Sequence, residues 1–275
     1  MEVSDSTLEH LRQVTLLPDL TGTRYEIESE IGRGGMGVVY AARDPDLDRR
    51  VALKVLEVPI SGEAQLIARL EHPGIVPIFE TGTLPDGRCF YAMKLVTGVR
   101  LDRYAAEDHT LTERLRVIRR ISEAVAFAHL RGVIHRDLKP QNVMVGEFGE
   151  VYVMDWGVEA IAGMAGFRAP ELVLDQLSDI YSLGALLKLL LPTPTPPALA
   201  AVVEKAISAD PDGRYSSVSA VLGDIDRFEQ GQAVEAWSEP VWHRIQRFAS
   251  RNAVLLWLLT AYTLVKLVLF FWRRF

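Results

Sequence analysis

The periodicity of the apolar residues changes once along the chain, near residue 100, and no other feature constrains the fold more strongly. Before that point, runs such as YEIESEIG and RRVALKVLEV alternate or are rich in β-branched residues, which is typical of strands. Beyond it, the run LTERLRVIRRISEAVAFAHLRG has helical spacing, with Leu115, Ile118 and Ile121 on one face. A β-rich part followed by an α-rich part predicts an α+β fold with two lobes.

This change divides the chain into segments. We place a polar leader at 1–24, the N-lobe at 25–96, the C-lobe at 97–228 and a linker at 229–252. Helices are predicted at 62–70, 111–132, 171–190, 198–208 and 216–229, and short strands at 142–147 and 150–155. Because proline has no N–H group to donate within a helix, a rigid non-helical connector is predicted at Pro192, Pro194, Pro196 and Pro197.

The C-terminal part of the chain is its most apolar. Residues 253–272 read AVLLWLLTAYTLVKLVLFFW, 20 residues with Lys266 as the single charge. A helix of this length spans about 30 Å, the thickness of the hydrocarbon core of a bilayer. Arginines flank the run and Trp257 and Trp272 lie within it, as interfacial anchors do. The run is therefore predicted to be a transmembrane helix in a lipid bilayer. The alternative is a helix buried in the protein core.

Composition excludes two classes of protein. With 36 acidic and 30 basic residues the formal charge is -6, whereas a nucleic-acid-binding protein is expected to carry a basic stripe, so no nucleic-acid partner is predicted. Cys89 is the single cysteine, which excludes an intrachain disulfide.

The first motif that carries chemistry is glycine-rich, IGRGGMGVVY, in which Gly32, Gly34 and Gly37 have GxGxxG spacing. Glycines allow a backbone to approach phosphates closely and to donate N–H groups to them. The residues that follow form a strand rather than a helix, which favours a β-hairpin over a nucleotide and disfavours a dinucleotide-binding turn. The alternative is a glycine-rich surface hairpin without a ligand.

The second motif is VALK, which ends in Lys54 within an apolar strand. A buried lysine is costly unless an anion pairs with it, and phosphate oxygens together with a carboxylate would provide that partner. Glu63, on the next predicted helix, is the candidate carboxylate. The alternative is a lysine exposed at the edge of a sheet.

The third and fourth motifs bring further polar groups. HRDLKPQN offers a carboxylate for a hydroxyl proton (Asp137), a lysine for a transferred phosphate (Lys139) and an amide oxygen for a metal ion (Asn142). MDWG places the carboxylate of Asp155 after an apolar strand, where it can bind Mg²⁺. Each string alone could be an ordinary loop, but all four in this order and spacing are not expected by chance.

Together with APE at 169–171, these motifs resemble the signature of protein kinases, in particular the eukaryotic-like serine/threonine kinases of bacteria. The resemblance runs from about Tyr25 to Phe228, and LKPQN after HRD is the serine/threonine version. It implies a two-lobed protein-kinase-like fold that binds ATP with Mg²⁺ or Mn²⁺. It also implies transfer of the γ-phosphate to hydroxyl groups of protein substrates.

The resemblance implies roles for individual residues. Lys54 would hold the α and β phosphates and pair with Glu63. Asp137 would position the acceptor hydroxyl and Lys139 would contact the γ-phosphate. The metal ligands would be Asn142 and Asp155. The nucleotide would be enclosed by the glycine-rich loop, the strands and the hinge, that is by Ile31, Gly32, Gly34, Gly37, Val39, Ala52, Lys54, Met93, Lys94, Val96 and Met144.

Other implied contacts support the catalytic loop. Asp179 would brace the backbone of HRD, and Glu171 would pair with Arg214. An apolar stack that couples the helix of Glu63 to the metal-binding loop would consist of Ile67, His135 and Trp156.

The chain also departs from this family. Lys54 and Glu63 are nine positions apart, where relatives commonly have close to twenty. Eleven residues, VEAIAGMAGFR, separate Gly157 from Ala169, and none of them is Ser, Thr or Tyr. The proline-rich connector stands where relatives carry a substrate-docking helix. These departures motivate an alternative, an ATP-binding pseudokinase that acts as a membrane scaffold. A nucleotide-binding membrane protein of another class, such as a dehydrogenase, is a third hypothesis, which HRDLKPQN disfavours.

Because ATP is cytosolic, the sequence predicts a single-pass protein of the cell membrane with its kinase domain in the cytoplasm.

Overall fold

The computed structural model describes residues 17–34, 37–57, 70–156, 166–171, 175–240 and 252–272. Most of the predicted helix 62–70, including Glu63 and Ile67, lies outside these ranges. So does most of the segment between Gly157 and Ala169.

Five strands form an antiparallel sheet in the N-lobe, as the alternating runs predict. Their order across the sheet is β1-β2-β3-β5-β4. The strands are β1 (Glu26–Gly34), β2 (Gly37–Asp44), β3 (Arg49–Leu56), β4 (Ile78–Thr83) and β5 (Cys89–Lys94).

The two faces of this sheet differ because side chains alternate along each strand. One face packs into an apolar cluster that includes Tyr40, Leu53 and Phe90. Ala52 and Lys54, the neighbours of Leu53 along β3, therefore point to the opposite face. This opposite face is the one that can line a cleft between the lobes.

The C-lobe is built mainly from helices, which confirms the α+β pattern and the two lobes. The helices are α1 (Leu101–Ala106), α2 (Leu111–Leu130), α3 (Gln176–Leu190), α4 (Pro197–Ala206) and α5 (Val218–Glu229). A small antiparallel sheet consists of β6 (Val99–Arg100), β7 (Val143–Val145) and β8 (Val151–Val153). Ile118 and Ile121 of α2 and Leu183 of α3 are fully buried in one apolar cluster. This cluster lies beneath the catalytic loop and supports it.

The start of α2 follows from its sequence. Thr110 Oγ1 accepts a hydrogen bond from the N–H group of Glu113, and the Glu113 carboxylate accepts one from the N–H group of Thr110. This reciprocal pair satisfies two N–H groups that have no partner within the helix. Glu113 is thereby fixed at the surface of the C-lobe.

The prediction that Pro197 belongs to a non-helical connector is wrong. Pro197 is the first residue of α4. At this position the N–H group that proline lacks has no helical partner in any case, and the fixed φ angle suits the helix. The connector between α3 and α4 therefore ends at Pro196.

Residues 234–237, which the sequence assigns to the linker, pack against the C-lobe. Val234 is buried and Trp237 contacts the apolar cluster. The buried carboxylate of Asp224 accepts hydrogen bonds from the N–H groups of Glu235 and Ala236, at 2.8 and 3.0 Å. Burial alone would raise the pKa of Asp224, but these bonds and two side-chain hydrogen bonds to the same carboxylate outweigh burial, and the pKa lies below its ordinary value. The folded C-lobe thus continues beyond α5.

Residues Ala253–Trp272 form α6, a helix of 20 residues. Most of its large apolar side chains that the structure describes, among them Trp257, Leu264 and Trp272, are exposed. Among the described residues, no helix combines the length and apolarity needed to cross a membrane, so the structure does not support the predicted transmembrane assignment.

Candidate active site

The described residues of the glycine-rich motif lie on β1 and β2, which pair in antiparallel fashion as predicted for a hairpin. Gly34 and Gly37 are cross-strand partners at its tip. Gly37 has a φ angle of +145°, and a Cβ atom on it would lie 2.0 Å from the carbonyl oxygen of Val55. A side chain at Gly37 would therefore be strained and would also collide with β3. The close approach of the hairpin to β3 depends on this glycine.

Cross-strand pairing brings the predicted cleft residues of three strands together. Val39 of β2 lies opposite Lys54 of β3, which in turn lies opposite Tyr91 of β5. One row further along, Ala52 lies opposite Met93. Because directly opposed residues share a face, these five side chains cover the sheet face opposite the apolar cluster.

Lys54 is buried and contacts a carboxylate of the C-lobe. Its Nζ atom lies 2.5 Å from Oδ1 of Asp155. Burial by itself would lower the pKa of Lys54, but its electrostatic interactions with Tyr91 and Asp155 outweigh burial, and the pKa lies above the ordinary 10.5. Burial in turn raises the pKa of the Tyr91 phenol to about 12. The predicted carboxylate partner, Glu63, lies outside the described residues.

Asp137, Lys139 and Asn142 meet in the loop before β7. Lys139 Nζ donates to Oδ2 of Asp137 at 2.6 Å. Asn142 Nδ2 donates to the carbonyl oxygen of Asp137 at 2.8 Å and to its Oδ2 at 3.2 Å. A short 3₁₀ helix, Pro140–Asn142, fixes the spacing between the lysine and the amide. The Asp137 carboxylate is therefore held by two donors while part of it stays accessible.

Asp179 of α3 braces this loop, as the resemblance implies. Its carboxylate accepts hydrogen bonds from the N–H groups of His135 and Arg136, at 2.7 and 2.9 Å. His129 of α2 adds a third contact, 2.8 Å from Nε2 to Oδ2. Arg136 has a φ angle of +68°, which is strained for a residue with a side chain. The buried carboxylate of Asp179 holds the loop in this conformation.

His135 and Trp156 link the catalytic loop to the metal-binding loop. Their ring centroids are 4.7 Å apart. His135 Nε2 lies 2.9 Å from the carbonyl oxygen of Met154, and the N–H group of Asp137 faces Nδ1 at 3.4 Å, so Nε2 carries the proton. Complete burial lowers the pKa of His135, which favours this neutral form. Ile67, the third member of the predicted stack, lies outside the described residues.

The remaining predicted nucleotide contacts lie around the connection between the lobes. Met93 and Lys94 end β5, Val96 follows in the connecting segment, and Met144 lies on β7 of the C-lobe. Ile31 and Gly32 lie on β1, where the pairing with β2 changes register. Each of these residues is at least partly exposed, which keeps its surface available to a ligand.

Glu171 and Arg214 form the predicted ion pair. The buried guanidinium of Arg214 donates through two nitrogens to the two carboxylate oxygens, at 2.7 and 2.8 Å. These bonds lower the pKa of Glu171 below its ordinary value. The pair ties the end of the APE motif to the loop before α5.

The chemistry of the predicted metal ligands fits Mg²⁺ or Mn²⁺. Asn142 uses its Nδ2 for Asp137, which leaves its amide oxygen for a cation, and Asp155 supplies a carboxylate. Amide and carboxylate oxygens are the ligands that such hard cations prefer. Within the described ranges, no group of three or more His, Cys, Asp or Glu side chains could hold a metal ion by itself. Oxygens of bound phosphates would have to complete the coordination.

Sequence reasoning missed three side chains at this site. They are Tyr91 beside Lys54, His129 beside Asp179, and Tyr152, whose hydroxyl contacts Lys94 Nζ between the two lobes. Tyr91 could have been found from strand register, because it alternates with Met93 along β5. His129 and Tyr152 carry no local signal, since their partners lie 50 and 58 residues away in the chain.

Comparison with known proteins agrees with this geometry. The family described as protein kinase domain matches residues 25–202. The serine/threonine-protein kinase PknB of Mycolicibacterium smegmatis is 32% identical over 281 residues, which cover 80% of this chain and 45% of PknB. PknD of Chlamydia caviae is 31% identical over 292 residues, covering 76% of this chain and 31% of PknD. PknD of Protochlamydia amoebophila is 29% identical over 297 residues, covering 76% of this chain and 30% of its own length. The chain thus spans less than half the length of these relatives.

Proposed function

Because the chain belongs to the protein kinase family, we propose that it is an active serine/threonine kinase that transfers the γ-phosphate of ATP to hydroxyl groups of proteins. The observation that carries this proposal is the meeting of charged groups from both lobes. Lys54 of the N-lobe contacts Asp155, and Asp137 lies beside Lys139 and Asn142. Phosphoryl transfer depends mainly on positioning and on stabilisation of charge.

Lys54 is the residue proposed to bind the α and β phosphates. Its raised pKa keeps the ammonium group charged at neutral pH, and its burial removes competing water. The hairpin at Gly34 and Gly37 would cover the phosphates with backbone N–H groups.

Asn142 and Asp155 are proposed to hold the metal ion, which neutralises the charge of the phosphates when it is bound. Asp137 is proposed to accept the hydrogen bond of the acceptor hydroxyl and so to orient its oxygen. Lys139, at 2.6 Å from Asp137, would then stabilise charge on the transferred phosphoryl group.

The alternative of a pseudokinase scaffold rests on the short spacing from Lys54 to Glu63 and on the short activation segment. The arrangement around Asp137 favours catalysis over it, because a scaffold has no need of a positioned carboxylate and lysine. The short segment instead suggests that activation requires no phosphorylation at 158–168, where no hydroxyl side chain exists.

The proposal is tested by incubating the full chain in detergent with Mg²⁺, ATP labelled at the γ-phosphate, and myelin basic protein. The acceptor is then hydrolysed and its phosphoamino acids are separated. We expect label in phosphoserine and phosphothreonine. Nucleotide binding without incorporation, measured with a fluorescent ATP analogue on the same preparation, would favour the pseudokinase instead.

We also propose that α6 anchors the chain in a membrane. Support comes from the sequence of residues 253–272, in which Lys266 is the single charge, and from the exposure of every described side chain from Trp257 to Leu267. The hydroxyls of Thr260 and Thr263 donate to carbonyl oxygens of the preceding turn, so these polar groups need no water. Arginines on both sides of the run would meet the headgroups.

Membrane anchoring is tested by expressing the full chain in bacteria. Intact sealed spheroplasts are expected to protect the kinase domain from added protease, whereas inverted vesicles should expose it. Protein recovered in the supernatant after ultracentrifugation without detergent would refute the anchor and leave the kinase proposal untouched.

A further inference from the structure

A second polar side chain, Tyr91, lies beside Lys54 on the sheet face opposite the apolar cluster of the N-lobe. The two residues are direct cross-strand partners on β3 and β5. Lys54 Nζ lies 5.8 Å from the centroid of the Tyr91 ring. Both residues are buried, with 5% and 7% of their surface exposed. Because both strands belong to one hydrogen-bonded sheet, Tyr91 stays beside Lys54 whatever the position of the C-lobe.

The strand register makes Tyr91 the polar one of the two residues that flank Lys54 across the sheet. β3 lies between β2 and β5. On the side of β2, Lys54 lies opposite Val39, whose side chain has no polar atom. Of these two neighbours, only Tyr91 can therefore interact with the ammonium group through a polar atom.

The Tyr91 phenol can hold this ammonium group without neutralising its charge. Burial raises the pKa of the phenol to about 12, so the group is uncharged at neutral pH. The oxygen of a neutral phenol accepts a hydrogen bond from an ammonium N–H group. The face of the ring adds a weaker attraction at distances up to about 6 Å. Tyr91 can thus orient Lys54 and leave its positive charge for an anionic ligand.

Asp155, which also contacts Lys54, cannot serve as such a fixed support. It belongs to the C-lobe, and its carboxylate is proposed to bind the metal ion. Its Oδ1 atom lies 2.5 Å from Lys54 Nζ, while 36% of its side chain is exposed. A metal ion and an ammonium group would share the oxygens of this carboxylate, so the orientation of Lys54 needs a partner within the N-lobe.

We propose that Tyr91 is a positioning residue, whose hydroxyl holds the ammonium group of Lys54 towards the α and β phosphates of the nucleotide. The proposal rests on the proposed kinase function and adds a residue of β5 to it. Tyr91 acts through Lys54 and does not itself contact the phosphates. Removing its hydroxyl should therefore weaken phosphate binding only when Lys54 is present.

The test measures nucleotide binding to the full chain in detergent with EDTA, so that side chains rather than a metal ion face the phosphates. The probes are ADP and adenosine, each labelled with the same fluorophore on the ribose and followed by fluorescence anisotropy. We expect Tyr91→Phe to weaken the binding of ADP about tenfold, as expected for one hydrogen bond to a charged group. The affinity for adenosine, which has no phosphate, should stay unchanged.

Two further variants assign the effect to the contact with Lys54. In a chain that already carries Lys54→Met, Tyr91→Phe should not weaken the binding of ADP any further, because the group that Tyr91 orients is gone. Tyr25→Phe is the matched control, since Tyr25 is a buried tyrosine of the apolar cluster whose hydroxyl donates to Glu80 at 2.8 Å. This control loses a hydroxyl and a hydrogen bond of the same lobe and should bind ADP as the wild type does.

The outcomes separate this proposal from the kinase proposal. Three results would overturn the role of Tyr91: an unchanged affinity of Tyr91→Phe for ADP, an equal loss for ADP and adenosine, or a loss that persists beside Lys54→Met. None of them affects the kinase proposal, which is tested by phosphate transfer with the wild-type chain. Binding of ADP that depends on Tyr91 in a chain that transfers no phosphate would support the positioning role and refute the kinase proposal.

Discussion

Replacing Glu171 by glutamine is expected to destabilise the folded chain by about 2–3 kcal/mol. The substitution keeps the shape of the side chain but removes its charge and one of its two hydrogen bonds to Arg214. The guanidinium of Arg214 has no exposed side-chain surface, so it cannot recover the lost partner from water. It retains hydrogen bonds to the carbonyl oxygens of Ser208 and Leu177, which do not neutralise it.

The magnitude follows from the burial of the two partners. Breaking a fully buried ion pair costs about 3–5 kcal/mol, because a charge is left uncompensated. Glu171 keeps 21% of its side-chain surface exposed, which lets solvent screen part of the interaction and places the cost at the lower end. For a folded unit of this size, about 2–3 kcal/mol lowers Tm by about 5–10 °C.

The pH dependence of this loss has a definite direction. Hydrogen bonds from Arg214 lower the pKa of Glu171 below its ordinary 4.5. The Glu171 carboxylate is therefore protonated more readily in the unfolded chain than in the folded one. At pH values above the ordinary pKa of this carboxylate, the ion pair stabilises the folded state. As pH falls through the lower folded-state pKa, the contribution disappears. The difference in Tm between wild type and variant should be full at neutral pH and shrink below about pH 4.5.

Thermal unfolding followed by circular dichroism at several pH values measures this difference. Glu204→Gln, an exposed glutamate of α4, is the control and should leave Tm unchanged. A decrease in Tm of less than about 1 °C at neutral pH, or a decrease that is the same at pH 4 and pH 7, would refute the reasoning.

Three further predictions concern the site. Lys54→Met should lower the rate of phosphoryl transfer by about 10²-fold or more, because the buried charge beside Asp155 is lost. The circular dichroism spectrum should stay unchanged, because methionine fills a similar volume. Phosphatase treatment should leave activity unchanged, because residues 158–168 have no hydroxyl side chain. A large loss of activity would show that phosphorylation outside this segment controls the kinase. Gly37→Ala should raise KM for ATP, because the new Cβ atom would displace the hairpin from Val55, and an unchanged KM would show that the hairpin does not contact the nucleotide.

Much of the secondary structure could be predicted, because the spacing of apolar residues within a short stretch of sequence determines it. The alternating runs predict the strands of the N-lobe, and the spacing of Leu115, Ile118 and Ile121 predicts α2. The contact between Glu171 and Arg214, 43 residues apart, was accessible only through resemblance, because neither residue carries a local signal for the other.

Other parts of the site depend on packing between distant segments. Asp155 contacts Lys54 from 101 residues away, a contact for which the sequence carries no local signal. The predicted carboxylate partner, Glu63, lies outside the described residues. The carboxylate of Asp224 accepts hydrogen bonds from N–H groups that follow α5. A C-lobe boundary at residue 228 therefore leaves out contacts that hold residues up to 237 against the C-lobe. The error at Pro197 has a different cause: the rule against proline in helices does not apply to the first residue.

The transfer rate of the Asp137→Asn variant tests the central claim most directly. Both proteins are purified in detergent by the same route, and kcat is measured with Mg²⁺, ATP and myelin basic protein, with nucleotide binding as the check on folding. If Asp137 orients the acceptor hydroxyl, kcat should fall by about 10²- to 10⁴-fold while nucleotide affinity is retained. A variant that transfers phosphate at the wild-type rate would contradict the assignment of this loop as the catalytic centre.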